Sequence, residues 1–173
     1  SGSSLDLANY PSYIEYILLA FGTPTMTYTQ GSYTFSGTGL QFSSEFSVVQ
    51  NAISTAKSNN QNQKFLISVG GASYQWLSTG NSYQAMCDLA SDLGVDGIDI
   101  DFENSPGCSG LNTAQIQCQT DSTLNEIITS LRNCLGSSKL LTAAVFSVGA
   151  YGTANYPNTQ YLPSSGNNGM WVN

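Results

Sequence analysis

Apolar residues along this 173-residue chain follow two alternating periods. Tyr13–Phe21 (YIEYILLAF) is a nearly continuous apolar run stopped by Gly22, Thr23 and Pro24, which predicts a buried strand. Residues 25–35 (TMTYTQGSYTF) alternate around Gln30-Gly31 and predict a short hairpin. Phe46, Val49, Ile53 and Ala56 recur at helical spacing within residues 44–59. After a polar break at Asn59–Gln63, Lys64–Gly71 (KFLISVGG) predicts a second buried strand ending in paired glycines. Residues 82–93 place Tyr83, Met86, Leu89 and Leu93 on one helical face, with Gly94 as its stop. Val95–Phe102 (VDGIDIDF) predicts a third strand, and Asn104–Thr120 a long loop. Residues 121–135 carry Leu124, Ile127, Ile128, Leu131 and Leu135 on one face before Gly136, and Leu140–Ser147 (LLTAAVFS) predicts a fourth strand.

Near-continuous apolar strands separated by helices predict a parallel α/β sheet covered on both faces. The organised domain is expected over residues 13–148, after a flexible lead at 1–12 and before a Gly/Asn/Tyr-rich tail at 149–173 that shows neither period.

Charge narrows the chemistry. Only 9% of residues are charged, the net charge is −7, and the cations number four. Lys57, Lys64, Arg132 and Lys139 cannot make a phosphate-tracking surface or a patch for an anionic membrane, so neither nucleic acid nor a membrane is an expected partner. The longest apolar run, Tyr16–Phe21, is far below the roughly 20 residues of a membrane span. The chain has no histidine, which removes Ser-His-Asp triads and His-based metal sites, and no metal or cofactor is expected. Four cysteines, Cys87, Cys108, Cys118 and Cys134, form no Cys-x-x-Cys pair. An even count in a charge-poor chain favours two disulfides and a secreted protein, against the alternative of four buried thiols. Of three connectivities, Cys108–Cys118 across one loop and Cys87–Cys134 between two helices are favoured. The opening residues lack the basic-then-apolar pattern of a secretion signal, and the start is expected to be a processed end.

The chemistry concentrates in Asp96–Glu103. On a strand Asp99, Asp101 and Glu103 share one face, and Ile98, Ile100 and Phe102 share the other. Three carboxyls spaced about 6–7 Å along a buried strand cannot all stay ionised, so at least one pKa should rise. A raised carboxyl suits a general acid. Two plainer readings compete: a calcium loop, disfavoured by the β-branched, strand-like backbone, and a polar network without chemistry.

The D-x-x-D-x-D-x-E spacing at Asp96, Asp99, Asp101 and Glu103 resembles the catalytic motif of family 18 glycoside hydrolases, the chitinase family. Ser68-Val69-Gly70-Gly71, one strand earlier, resembles the S-x-G-G motif that accompanies it, and Tyr13–Phe21 resembles the family's second strand. The resemblance implies a partial (β/α)8 TIM barrel of about four parallel strands, corresponding to strands two to five. A whole barrel of this type takes about 250 residues, so completion by another chain or a copy of this one is expected. It also implies a retaining, substrate-assisted hydrolysis of chitin or another N-acetylglucosamine-containing glycan. Glu103 would protonate the glycosidic oxygen, Asp101 would orient the N-acetyl group, and Asp99 would share a proton with Asp101. Asp96, of opposite parity, is expected to be structural. Ser68, Gly70 and Gly71 would line the substrate side. Tyr74, Trp76 and Tyr151, following strand ends, are candidates for stacking on sugar. An endo-β-N-acetylglucosaminidase, or a non-catalytic chitin-binding or self-assembling protein on a truncated barrel, would fit the same residues.

Overall fold

The computed structural model of the chain describes residues 7–104, 108–109 and 117–144. Its elements are β1 (Tyr16–Gly22), α1 (Phe46–Asn59), β2 (Lys64–Gly70), α2 (Tyr83–Leu93), β3 (Gly97–Asp101), β4 (Cys108–Ser109), β5 (Gln117–Cys118), α3 (Asp121–Leu135) and β6 (Leu140–Ala144). Strands β1, β2, β3 and β6 lie side by side in that order and every pair is parallel. A helix follows each of the first three, which is the βα repeat that the two sequence periods predict.

One side of this sheet carries the core. Ile17 and Leu19 of β1, Phe65, Ile67 and Val69 of β2, and Ile98 and Ile100 of β3 are buried together with the apolar faces of the three helices. The helices are held there by burial rather than by side-chain caps, which none of them has at its N-terminus. Gly94 ends α2 in the left-handed region at φ 74°, and its N–H reaches the carbonyls of Ala90 and Ser91. The other side of the sheet is uneven: Leu66, Ser68 and Asp99 are buried, whereas Tyr16 and Leu18 of β1 are 60% and 50% exposed. Among the described residues β1 and β6 each have one strand neighbour, so both are edges.

The hairpin expected at residues 25–35 does not form. Its turn does, with Ser32 N–H donating to Thr29 O at 3.1 Å, but the flanks find better partners than each other. The Tyr28 hydroxyl and the Gly31 N–H both donate to Asp92 Oδ2, at 2.7 and 2.6 Å. Tyr28, Tyr33 and Phe35 pack on Phe46 at the start of α1. Burial and the bond to Asp92 push the Tyr28 phenol up to about 12. The loop expected at Asn104–Thr120 contains the β4–β5 ladder, in which Cys108 faces Cys118. The last strand is described as far as Ala144, and the tail at 149–173 lies outside the described residues.

The Cys87–Cys134 disulfide joins α2 to α3 with a Cα–Cα distance of 6.0 Å, as expected. Cys118 is also disulfide-bonded, while the Cys108 side chain lies outside the described ones. Because the Cys87–Cys134 bridge closes 47 residues of sequence, the chain-entropy relation gives it about 4 kcal/mol. Replacing both cysteines with serine should therefore lower the thermal midpoint by roughly 10 °C, read by circular dichroism; an unchanged midpoint would show that packing alone joins the helices.

Candidate active site

The parallel register brings one polar position from each of three strands into a row. Ser68 on β2, Asp99 on β3 and Thr142 on β6 are direct neighbours. The Ser68 hydroxyl donates to Asp99 Oδ2 at 2.8 Å, and the Thr142 hydroxyl donates to Asp99 Oδ1 at 2.7 Å. Asp99 is only 5% exposed. Two hydroxyl donors, one per oxygen, thus replace the water that burial removes.

Asp101 follows two residues on, half-buried, at the end of β3. Its carboxyl is held above the ordinary aspartate range, first by loss of solvent and then by the negative charges of Glu103 and Asp99. Glu103 lies past the last ladder pair and is exposed. The row therefore grades from a buried, hydroxyl-bound acid, through one whose ionisation is opposed, to one open to solvent. The acids follow an extended strand rather than wrap a loop, which does not suit the calcium reading.

Two glycines make room for this row. Gly70 is the register partner of Asp101; a Cβ there would sit 2.1 Å from the Asp101 carbonyl oxygen and 2.5 Å from Trp76 Nε1, with φ at 111°. A Cβ on Gly71 would lie 3.2 Å from Asp101 Oδ2 and 3.3 Å from the Phe21 ring. Gly71 also donates its N–H to the Asp101 carbonyl at 3.0 Å.

Trp76 departs from expectation. It is 2% exposed, so its indole offers no face for a sugar to stack on. Its polar edge explains the burial: Nε1–H donates to the Asp101 carbonyl at 3.2 Å, which draws the ring under the strand end. Tyr74 is half-buried on the same loop, and Tyr151 lies outside the described residues. Asp96 sits at the other end of β3, where it pairs with Lys57 at 2.8 Å and accepts the Phe65 N–H at 2.9 Å.

All four cations are held at that same far end, on segments leading into the strands. Lys57 binds the Gly94 carbonyl, Lys64 that of Gln61, Arg132 those of Gly136 and Lys139, and Lys139 that of Val95. Asp99, Asp101 and Glu103 thus have no cationic neighbour in the described structure, so nothing there offsets the burial and the neighbouring negative charges that raise the Asp101 pKa.

Three residues of the site escaped the motif reading: Thr142, Phe21 and Asn104. A signal existed for the first. Thr142 is the sole polar residue of Leu140–Ala144, as Ser68 is of Phe65–Val69, and a lone hydroxyl in an apolar strand asks for a partner. Asn104 donates Nδ2–H to the Trp76 carbonyl at 2.8 Å, a contact no spacing rule anticipates.

With this geometry established, known structures can be compared. No protein-family model matches the chain, and no curated protein matches it. Solved structures do share its fold. A protein assigned as chitinase A of Streptomyces coelicolor superposes with a TM-score of 0.54 at 20% identity, over 80% of this chain and 44% of that one. A family 18 chitinase from Pseudoalteromonas aurantia gives 0.50 at 23% identity, over 80% and 50%. A chitinase-like agglutinin from Robinia pseudoacacia gives 0.51 at 16% identity, over 79% and 42%. The fold is that of part of a chitinase-type TIM barrel, and the chain spans half or less of the length of these structures.

Asp101 yields a stability prediction. The folded chain binds its carboxyl proton more tightly than the unfolded chain, so ionisation costs stability as pH rises above the ordinary value of 3.8. Asp101→Asn should therefore melt higher than the wild type at pH 7, and the advantage should fade as pH falls to about 3.8. Melting curves across that range check it; a variant less stable at pH 7 would mean that the carboxylate is stabilised in the fold.

Proposed function

We propose that this chain carries the catalytic end of a secreted glycoside hydrolase that cuts β-1,4-linked N-acetylglucosamine polymers with retention of configuration. The observation that carries the reading is the graded row on β3, in which a carboxyl with raised pKa stands between a hydroxyl-bound acid and an open one. The row stands at the C-terminal end of a parallel strand, where barrels of this type do their chemistry. The shared fold of chitinase-type structures supports the same class.

In this mechanism Glu103 gives its proton to the glycosidic oxygen as the bond to the anomeric carbon breaks. The carbonyl oxygen of the substrate's own N-acetyl group attacks that carbon, held in place by Asp101. Water then attacks from the face the leaving group vacated, and Glu103 takes the proton back, so configuration is retained. A raised pKa favours Asp101 as a hydrogen-bond donor to the N-acetyl group early in the cycle. Asp99 shares that proton in this reading, while Ser68 and Thr142 donate to its two oxygens. Ser68, Gly70 and Gly71, all buried, support the acids from the neighbouring strand and do not meet substrate as expected, which leaves Tyr74 and Tyr151 as stacking candidates. Further strands beside β1 and β6 complete the cleft. The substrate class is chitin or a related N-acetylglucosamine glycan, cut without metal or cofactor.

A second reading has one specific support. The chitinase-like agglutinin from Robinia pseudoacacia shares this fold. On that reading the chain holds glycan and does not cut it.

Hydrolysis of a fluorogenic chitotriose substrate separates the two. Glu103→Gln should lower turnover by about 10²–10⁴-fold with an unchanged circular dichroism spectrum. Chitin pull-down by wild type and variant alike, with turnover in neither, favours the binding reading. Equal turnover by both chains contradicts the role of Glu103.

A further inference from the structure

Glu103 poses a mechanical problem. The last ladder pairs of β3 are Gly70↔Asp101 and Asp101↔Ala144, so the residue proposed as the acid stands two positions beyond the sheet. An exposed glutamate on a free strand end samples many rotamers, whereas proton transfer needs its donor fixed to within about half an ångström.

The structure supplies one residue that meets this need. Trp76, in the loop between β2 and α2, is bonded on both sides of Glu103. Its indole N–H donates to the carbonyl of Asp101 at 3.2 Å, and its own carbonyl accepts Nδ2–H of Asn104 at 2.8 Å. Between those two anchors, Phe102 is 1% exposed and turned into the core. Of the residues from 101 to 104, only Glu103 is left pointing into solvent. The arrangement also gives Gly70 a specific task, since a Cβ there would lie 2.5 Å from the indole nitrogen and 2.1 Å from the carbonyl it binds.

We propose that Trp76 is a positioning residue which, through its paired bonds to Asp101 and Asn104, staples the end of β3 and fixes the backbone that presents Glu103 for proton transfer. The staple continues the strand's restraint after its ladder has ended. It uses a side chain and a main-chain carbonyl of one residue, so both anchors are tied to a single position in the chain. Trp76 touches no substrate in this role; it acts through the backbone of its neighbours.

The proposal rests on the hydrolase reading for its consequence and on geometry for its existence, and the test separates the two. Trp76→Phe keeps an aromatic side chain but removes the N–H and part of the ring volume; Asn104→Ala removes the second bond and barely disturbs the core. On the fluorogenic chitotriose substrate, each should lower kcat by about tenfold or more with KM within about twofold, because misplacement of a catalytic group acts on the transition state. Carbon-13 NMR of the aspartate carboxyls gives an independent readout. Glu103 and Asp99 are the charges that help raise the Asp101 pKa, so a Glu103 freed from the staple should let Asp101 titrate at lower pH than in the wild type. Hydrolysis with unchanged kcat in both variants overturns the staple and leaves the hydrolase reading intact. No hydrolysis in any chain, with the Asp101 titration lowered in the variants, keeps the staple and leaves the hydrolase reading without support. An unchanged titration in a chain without hydrolysis overturns both. If Trp76→Phe fails to fold, Asn104→Ala decides by the same measurements.

Discussion

Three carboxyl groups on one face of a strand repel each other, and the rest of this structure is arranged around that fact. The opposite face of β3 is apolar and buried against helices, so the acids cannot turn away without exposing Ile98, Ile100 and Phe102. They must be accommodated where they stand. Asp99 is accommodated by hydroxyls from both neighbouring strands. Asp101 is accommodated by a raised affinity for its proton. Glu103 is accommodated by solvent beyond the sheet edge. Each solution differs in kind, and the difference gives three chemically similar side chains three separate capacities.

The scarce cations could have quenched this repulsion and do not. Lys57, Arg132 and Lys139 close the opposite end of the sheet by binding carbonyls and Asp96. The cations and the row of acids thereby lie at opposite ends of the same strands. The glycines at the end of β2 complete the division. Gly70 and Gly71 bring a main-chain N–H and the Trp76 indole close to the Asp101 carbonyl, which fixes the backbone that carries the acids.

The strands and helices were readable because each obeys a single period over most of its length. Parity alone set Asp99, Asp101 and Glu103 on one face and Asp96 on the other. Residues 25–35 misled because their alternation records contacts with Asp92 and Phe46, which are remote in sequence, and not a partner strand. Trp76 misled for a related reason. A tryptophan after a strand end suits a half-exposed platform, and only the register of Gly70 against Asp101 reveals the cavity that takes its indole in. Thr142 went unnoticed because its role depends on lateral register, which no single strand encodes.

The stereochemistry of the product tests the account most directly. Proton NMR can follow the anomeric signals during the first minutes of chitin-oligosaccharide hydrolysis, before mutarotation mixes them. Attack by the substrate's N-acetyl oxygen, held by Asp101, predicts that the β-anomer appears first. Release of the α-anomer would mean that water attacks directly, and would contradict the roles assigned to Asp101 and Asp99.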